Sequence, residues 1–516
     1  MTCLFGLSRP TGSLAILWLP VVPNRISNIK AVKGTGTCPV CWSIFKTHSS
    51  DGTLHQHGPR SSVCPGSNQL PSNTHHSSSV NIITNSHQTG SITQSLSQFQ
   101  TVSDEFIEGD AILSHPPNCR LLKHIPKAVR SQCTELLCSI LSSINRNPNN
   151  LQHWKKLIAF GPSILIKPKR GGSRRNISKC ISSRIKEWNS SVRGIDDAMI
   201  SFQCQHRSVH NCKNDHEILA SAVASKLEDG NFKAAIRLVC SSDKPAQINA
   251  LTHLALQVKH PPVPHDRRPQ CSPSSSNRFA PLQITVGDLM NAVRTFPPGS
   301  SGGPDGVSPQ HVKDMLATEG DMGPLRQELC NFVNLLLNGD TPEAVNKIIY
   351  GGRLLALEKK DEGIRPITVG YTWRRLAAKC ANSYAISKLA SSFVPMQLGV
   401  GTPGGCEAAV HATRRYTCDL PDNKVLVKLD FSNAFNSVRR DALLETVARD
   451  IPELYRFIHA TYENCSPILK LGDFYISSED GVQQGDPLGP LEFCLVINPL
   501  LYVHCHRSYA SVSLTT

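Results

Sequence analysis

Hydrophobic residues recur along this chain with two different spacings, and the spacing changes near residue 280. Between 111 and 260, stretches such as ELLCSILSSI and EILASAVASKLEDGNFKAAIRLV carry apolar residues three and four positions apart, which predicts amphipathic helices. Beyond 280, helix-like segments alternate with the β-forming runs RLLALEK, IRPITV and KVLVKLD, which predict strands. The pattern therefore favours a helical domain at 111–260 and an α+β domain at 281–505.

Polar stretches divide the rest of the chain. The Pro- and Ser-rich residues 261–280 predict a linker, and residues 68–110 form a low-complexity linker whose composition cannot bury enough apolar surface to fold. A short Cys- and His-containing segment lies at 36–67, the N-terminus (1–35) is unassigned, and 506–516 is a divergent tail. Within 281–505 we expect helices at LQITVGDLMNAVRTF, HVKDML, RQELCNFVNLLLNG, WRRLAAKCANSYAISKLA, EAAVHATRRY, DALLETVARD, ELYRFIHATY and PLEFCLVINPLLYVH, and a hairpin around Gly472 and Asp473.

The charge, cysteine number and apolar runs of the chain indicate which classes of partner it can bind. Lys and Arg number 54 against 40 Asp and Glu in 516 residues, giving a net charge of +14, a balance that favours polyanions such as nucleic acid, although an ordinary basic surface is the alternative. The 19 cysteines are scattered and odd in number, so we expect reduced thiols and no structural disulfide. The apolar run SLAILWLPVVP is too short to span a bilayer, and we expect no membrane partner.

The segment CPVCWSIFKTHSSDGTLHQHGPRSSVCPG, residues 38–66, contains a zinc-like pattern. A C-x-x-C knuckle of thiolates combined with imidazole favours zinc over hard cations. We predict the ligands Cys38, Cys41, His57 and Cys64, with His55 as the alternative to His57 and chance clustering in a His-rich tract as the alternative to any site.

Two further clusters invite interpretation. The run KPKRGGSRRNISKCISSRIK, residues 167–186, has eight basic residues and no acid, so it either grips phosphates or forms a solvated loop. The cluster of cysteines and histidines at 204–216 has no C-x-x-C turn, and we interpret it as lacking a metal. The candidate nucleic-acid contacts are Lys167, Lys169, Arg170, Arg174 and Arg175.

The stretch KVLVKLDFSNAFNSV, residues 424–438, brings a carboxylate to the end of a predicted strand, Asp430, with the aromatic Phe435 across a tight turn. This stretch resembles the first catalytic motif of reverse transcriptases. The resemblance implies that Asp430 is catalytic and binds Mg²⁺, and that Phe435 is a steric gate against a ribose 2′-hydroxyl. The alternative for Phe435 is an ordinary core position.

Further motifs follow in the order expected for that family. GVQQGDPLGPLEFCLVINPLL (481–501) resembles the motif that lines the nucleotide pocket with Gln484 and Gly485, where glycine allows a base pair to approach the backbone. LEKKDEGIRPITVG (357–370) resembles the fingers hairpin, in which Arg365 holds the triphosphate and Lys359 or Lys360 adds charge. A structural ion pair is the alternative for Arg365. SSGGPDGVSPQHVKDML and QLGVGTPGGCEAAVHATR resemble two more family motifs.

The amino-acid sequences of these motifs are most similar to those of reverse transcriptases from animal non-LTR (LINE-like) retrotransposons. The resemblance implies the fingers and partial palm of a right-hand polymerase, an RNA template, a DNA primer or target, deoxynucleoside triphosphates and action in the nucleus. The chemistry implied is two-metal nucleotidyl transfer. A non-catalytic nucleic-acid-binding remnant of a mobile element is the alternative, distinguished by salt-dependent binding without nucleotide incorporation.

One family motif is missing. The remaining catalytic acids of the family form a Tyr-x-Asp-Asp hairpin downstream of the Gln484 motif, whereas this sequence ends LLYVHCHRSYASVSLTT, without an acid. We interpret Asp486 as a turn residue and not as a substitute ligand. The resemblance therefore predicts a chain truncated within the palm that lacks polymerase activity by itself, which primer extension on an RNA template with Mg²⁺ tests.

Overall fold

The computed structural model describes residues 115–116, 119–168, 176–190, 215–228, 230–240, 244–263, 278–318, 323–359, 363–418, 424–462 and 467–505, with short strands at 2–8, 35–37, 44–46 and 510–513. In the strand at 424–430 the description covers the backbone only. Apart from the strands at 35–37 and 44–46, these residues belong to one compact unit, Met1–Arg9 with Val102–Thr516.

Fifteen α-helices lie in the described residues, and several begin or end at the residues that cap helices. Thr285 and Asp288 form a capping box at one N-terminus, while Gly339, at φ +69°, ends the helix that starts with Pro324. The helices are α1 Arg130–Arg146, α2 Leu151–Ile164, α3 Ile177–Ser190, α4 Asp215–Glu228, α5 Phe232–Cys240, α6 Ala250–Lys259, α7 Val286–Arg294, α8 Pro309–Leu316, α9 Pro324–Asn338, α10 Glu343–Ile349, α11 Thr372–Phe393, α12 Gly405–Cys418, α13 Arg440–Asp450, α14 Tyr455–Tyr462 and α15 Gly489–Cys505.

The strands in the described part of the chain form three sheets. They are β1 Thr2–Ser8, β2 Thr35–Thr37, β3 Ile44–Lys46, β4 Lys244–Pro245, β5 Gly352–Glu358, β6 Ile364–Gly370, β7 Lys424–Asp430, β8 Ile468–Leu471, β9 Phe474–Ser477 and β10 Ala510–Ser513. In the largest sheet β6 pairs antiparallel along one edge of β5, whose other edge pairs with β4 at one end and parallel with β8 at the other. A second sheet has the order β10-β1-β7, and β2 pairs with β3.

A hydrophobic core joins the early helices to the later ones. Trp154 of α2 packs against Phe332 of α9, with ring centroids 5.6 Å apart, and Phe332 meets Trp373 of α11 edge-on at 6.4 Å. The core cluster runs from Ile125 to Leu501. The 261–280 segment therefore separates helices that share one core, and the domain boundaries drawn from the sequence stay predictions. A smaller cluster packs Leu256 of α6 against the largest sheet.

Most of the predicted elements after 280 are confirmed. The strands RLLALEK and IRPITV correspond to β5 and β6, and the hairpin around Gly472 and Asp473 is β8–β9. The helix expected at LQITVGDLMNAVRTF begins only at Val286, because Thr285 caps it, and EILASAVASKLEDGNFKAAIRLV forms two helices, α4 and α5. None of the described helices has the length and hydrophobicity that crossing a bilayer requires.

Candidate nucleotide-binding site

The β5–β6 hairpin presents Arg365 on its more exposed face. Alternate residues of β6 face opposite sides: Pro366, Thr368 and Gly370 are buried, whereas Arg365, Ile367 and Val369 are half-buried. Arg365 pairs across the hairpin with Leu357. The amide of Lys359 donates to the Gly363 carbonyl at 2.8 Å near the tip. Arg365 is thus on the half-buried face of the hairpin, and its roles as phosphate ligand and as ion-pair partner both stay predictions.

The Gln484 turn docks on the free edge of β6. The amide of Thr368 donates to the Gln484 carbonyl at 2.7 Å. Gly485 has φ +112°, and a Cβ there would lie 2.4 Å from the Thr368 carbonyl oxygen, so only glycine fits. The close approach that Gly485 permits is to β6 itself. Since Thr368 follows Arg365 by three residues, the turn and the guanidinium-bearing residue lie about 10 Å apart along the strand.

The Phe435 motif is joined to the same turn segment. Asn433 adopts φ +53° after β7, and Phe435–Ser437 form a 3₁₀ turn. The amide of Val482 donates to the Phe435 carbonyl at 2.9 Å, and that of Gly481 donates to the Val438 carbonyl at 3.0 Å. These backbone bonds bring the two motifs together in space.

The ring of Phe435 is half-buried against α15. Its centroid lies 5.9 Å from that of Phe493, and a Cβ on Gly489 would lie 3.4 Å from the ring. The ring therefore has one packed side, and its roles as gate or core residue both stay predictions.

Asp430 is the last residue of β7, whose backbone pairs with Thr2 of β1. Its side chain lies outside what the structure describes. Among the described residues, no group of three or more His, Cys, Asp or Glu side chains is arranged to hold a metal ion. The magnesium-binding role of Asp430 therefore stays a prediction.

Arg374 of α11 is a functional candidate that the sequence analysis missed. It is 2% exposed and donates through Nη1 to the Tyr350 carbonyl and to Oε1 of Gln483. Its Nη2 pairs with the carboxylate of Asp486 and lies 3.4 Å from the hydroxyl of Tyr462. Burial is the largest single influence and lowers the pKa of Arg374, but the combined effect of Asp486, Tyr462 and Glu492 is greater and leaves that pKa raised.

A sequence signal for Arg374 existed. Ala378, Ala381 and Ala385, which follow it on the same helix face, are all buried, so an arginine in this stripe requires a buried acceptor. Its neighbour Arg375 instead has Lys379 one turn further on. The partner Asp486, 112 residues away, has no local signal. Asp486 also accepts from the amide of Leu488 through Oδ1 at 3.0 Å, which confirms its interpretation as a turn residue.

A second buried guanidinium lies across the Tyr462 ring. Arg440 is 4.8 Å from the ring centroid and donates to the carbonyls of Gly481 and Tyr462 at 2.9 and 3.0 Å. Burial and the nearby Asp486 raise the pKa of Glu492, whose carboxyl lies 3.5 Å from the Tyr462 hydroxyl. The segment before the Gln484 turn is thus held from α13 as well as from α11.

The helix α6 contacts the Asp430 motif from outside it. The side-chain amides of Asn433 and Asn436 both donate to the Lys259 carbonyl at 2.9 Å. These contacts satisfy an orphan carbonyl at the helix C-terminus. Residues upstream of the predicted linker therefore help to shape the turn that carries Phe435.

Two buried titratable residues, His115 and Asp305, form hydrogen bonds close to these elements. The Nε2 of His115 donates to the Ile468 carbonyl at 2.8 Å, so in the neutral ring Nδ1 accepts from the Tyr371 hydroxyl at 3.0 Å. Burial lowers the pKa of His115 to about 4. Asp305, in the GGPDGVS loop, accepts from the amide of Val307 at 3.1 Å, and burial raises its pKa to about 7.

Several predicted residues lie outside the described part of the chain. They are the zinc candidates Cys38, Cys41, His57 and Cys64, the hairpin residue Lys360, and Lys169, Arg170, Arg174 and Arg175 of the basic run. Lys167 is exposed, and its backbone amide donates to the Arg120 carbonyl at 2.8 Å. Its contact with nucleic acid stays a prediction.

Strand β6 with the end of β5, the Asp430 strand and the Gln484 turn all lie within one family match. Residues 357–507 match the model of reverse transcriptases, or RNA-dependent DNA polymerases. This part of the chain is a reverse-transcriptase domain, and the two relatives described below are proteins of retrotransposable elements. The prediction made from the motifs is confirmed at this level.

Two relatives are similar over this part of the chain. A stretch of 182 residues, 33% of this chain, is 31% identical to the retrotransposable element SLACS 132 kDa protein of Trypanosoma brucei gambiense and covers 15% of it. A stretch of 216 residues, 39% of this chain, is 28% identical to the Retrovirus-related Pol polyprotein from type-2 retrotransposable element R2DM of Drosophila melanogaster and covers 19% of it. The chain thus matches less than a fifth of either relative's length.

Proposed function

We propose that residues 281–501 form the fingers and part of the palm of an RNA-directed DNA polymerase, and that the Gln484 turn and the β5–β6 hairpin together bind an incoming deoxynucleoside triphosphate. The proposal rests mainly on the hydrogen bond from the Thr368 amide to the Gln484 carbonyl at 2.7 Å. That bond fixes the turn about 10 Å along β6 from Arg365, a span comparable to the length of a nucleotide.

The chemistry of the pocket follows from its side chains. Arg365 offers a planar guanidinium that can hold two phosphate oxygens, and Lys359 adds a point charge near the hairpin tip. Phe435, which is joined to the turn segment by the hydrogen bond from the Val482 amide to the Phe435 carbonyl, would lie beside the sugar. In this assignment Gln484 faces the base pair that the nucleotide forms with an RNA template, and Gly485 lets the turn pack closely against β6.

Magnesium is the metal that reverse transcriptases use, and carboxylates with phosphate oxygens are its preferred ligands. Asp430 has the right chemistry, but the described residues contain no group of three metal-ligating side chains. A metal site is therefore not complete in the described part of the chain, and we derive no step through it. The contribution assigned to the described residues is binding and orientation of the nucleotide.

The polyanionic partners fit the charge of the chain. A net charge of +14 favours association with an RNA template and a DNA primer, with an affinity that falls as salt rises. Binding of this kind is common to a polymerase and to a non-catalytic nucleic-acid-binding protein. A response to the correct nucleotide distinguishes the two.

The test uses the full chain with a fluorescent RNA–DNA template–primer whose 3′ end is blocked. In wild type, the complementary deoxynucleotide with Mg²⁺ should slow dissociation of the duplex at least several-fold, and a mismatched one should not. Arg365→Ala should keep duplex binding and lose that response. Arg449→Ala is the matched control, because Arg449 pairs with its neighbour Asp450 at 2.7 Å on the surface.

Salt-dependent duplex binding that ignores the complementary nucleotide in wild type would contradict the polymerase assignment and favour the nucleic-acid-binding alternative. Equal nucleotide responses in wild type and Arg365→Ala would contradict the role of Arg365.

A further inference from the structure

The Gln484 turn is held on both flanks by one side chain. Gln483 precedes the turn residues Gln484 and Gly485, and Asp486 follows them. Arg374 donates to the side chains of both flanking residues. The turn itself contacts β6 through the Thr368–Gln484 bond, so Arg374 fixes the parts of the segment that this bond does not reach.

Arg374 also joins the turn to other elements. Its Nη1 donates to the carbonyl of Tyr350, two residues before β5, and its Nη2 lies 3.4 Å from the hydroxyl of Tyr462 at the end of α14. The side-chain amide of Gln483 donates to the same Tyr350 carbonyl at 2.9 Å. The base of the hairpin and the turn therefore share one buried set of hydrogen bonds.

We propose that Arg374 is a positioning residue of the nucleotide pocket: its guanidinium fixes Gln484 and Gly485 relative to the β5–β6 hairpin that carries Arg365. This inference rests on the proposed function, because it assumes that the hairpin and the turn bind one nucleotide. Arg374 is 2% exposed, so it acts through Gln483 and Asp486 and does not touch the nucleotide.

To hold the turn in this way, residue 374 needs the several hydrogen-bond donors that the planar guanidinium of arginine provides. Three acceptors from two segments, Tyr350 before β5 and Gln483 and Asp486 beside the turn, receive hydrogen bonds from two nitrogens of one planar group. A lysine retains the charge beside Asp486, but its single ammonium cannot reproduce this planar fork. Arg374→Lys therefore keeps the positive charge beside Asp486 and removes the planar arrangement of hydrogen-bond donors.

Arg375 provides a matched control. It is the next residue of α11, and it donates to the Ser301 carbonyl at 2.6 Å while its guanidinium lies 5.3 Å from the Phe296 ring centroid. Arg375→Lys makes the same chemical change one residue away on the same helix, and it leaves both flanks of the turn untouched.

The first measurement is amide hydrogen exchange of the peptide around 481–489 in the free protein. The amide of Asp486 donates to the Gln483 carbonyl at 3.1 Å, and that of Leu488 to Oδ1 of Asp486 at 3.0 Å. In Arg374→Lys these amides should exchange at least tenfold faster, with little change in Arg375→Lys. Asp486→Asn, which keeps the acceptor for Leu488, should show the same effect and serves if Arg374→Lys folds poorly.

The second measurement is the response of the blocked template–primer complex to the complementary deoxynucleotide. Arg374→Lys should lose about tenfold of that stabilisation, while duplex affinity stays within about twofold and the melting temperature close to wild type. A purely structural role would instead lower melting temperature, duplex affinity and nucleotide response together.

Unchanged exchange in both Arg374→Lys and Asp486→Asn would overturn the inference whatever the nucleotide response. Faster exchange with an intact nucleotide response would overturn it as well. A wild-type protein that ignores the nucleotide, with faster exchange in Arg374→Lys, would contradict the proposed function and leave Arg374 as the residue that fixes the turn.

Discussion

Gly485→Ala adds one methyl group where the turn meets β6, and its effect can be worked out from the structure. At φ +112° the residue lies outside the conformations that L-residues favour. The new Cβ would also be 2.4 Å from the Thr368 carbonyl oxygen, against an ordinary contact of at least 3.4 Å. One of the two backbones must therefore move by about 1 Å, since side-chain rotation cannot relieve a contact between a Cβ and a backbone atom.

The expected loss of stability has two parts. Forcing alanine into a left-handed conformation costs about 1–2 kcal/mol. Displacing the turn also breaks the bond from the Thr368 amide to the Gln484 carbonyl, for about 0.5–1.5 kcal/mol and more if the amide stays unsatisfied. We expect a total of about 2–4 kcal/mol, together with a loss of nucleotide response of about tenfold or more.

Gly230→Ala is the matched control for the backbone effect. Gly230 has φ +69°, and no heavy atom lies within 4 Å of the position that a Cβ would take there, so the variant should lose only about 1–2 kcal/mol and keep a normal nucleotide response. Urea unfolding followed by tryptophan fluorescence, with the blocked template–primer assay, measures both effects. If Gly485→Ala is no less stable than Gly230→Ala and responds normally to the nucleotide, the docking of the turn on β6 is not what forms the pocket.

Three further predictions concern other residues of the region. Phe435→Val should raise the response to ribonucleotides relative to deoxynucleotides about tenfold, or about 1.4 kcal/mol, in the same blocked-primer assay; an unchanged ratio would favour the core role. Because burial lowers the pKa of His115 from 6.5 to about 4, stability should be complete above pH 6.5 and fall by up to about 3 kcal/mol as pH drops to 4, and urea midpoints of His115→Gln should show less of this fall. Because burial raises the pKa of Asp305 from 3.8 to about 7, stability should be complete below pH 3.8 and fall by up to about 4 kcal/mol as pH rises through 7; Asp305→Asn should remove this fall, and an equal fall in the variant would contradict the assignment.

Local patterns were sufficient for the elements of the site and for its glycine. The alternation in IRPITVG predicts β6, and the GDP turn followed by an apolar run predicts the start of α15. The need for glycine at 485 was also foreseen, but not its reason. The sequence suggested approach to a base pair, whereas the structure shows approach to Thr368, a contact that depends on how two distant segments pack.

Long-range pairing is what the sequence did not reveal. Arg374 and Arg375 are adjacent and chemically identical, yet one is buried against Asp486 and the other donates to Ser301. The contacts of Asn433 and Asn436 with Lys259 cross 174 and 177 positions. Such pairs depend on the tertiary arrangement of elements, and hydrophobic periodicity describes only which face of each element is buried.

The residues that share the hydrophobic core are not the same as the residues that match the reverse-transcriptase family. The family match covers residues 357–507, but Trp373 inside it is fully buried and meets Phe332, which in turn meets Trp154. A fragment cut at the start of the match would expose these aromatic surfaces to water. The shared core extends upstream to α1, since Cys133 and Leu137 belong to it, and a reverse-transcriptase domain exchanged between relatives would have to include these N-terminal helices.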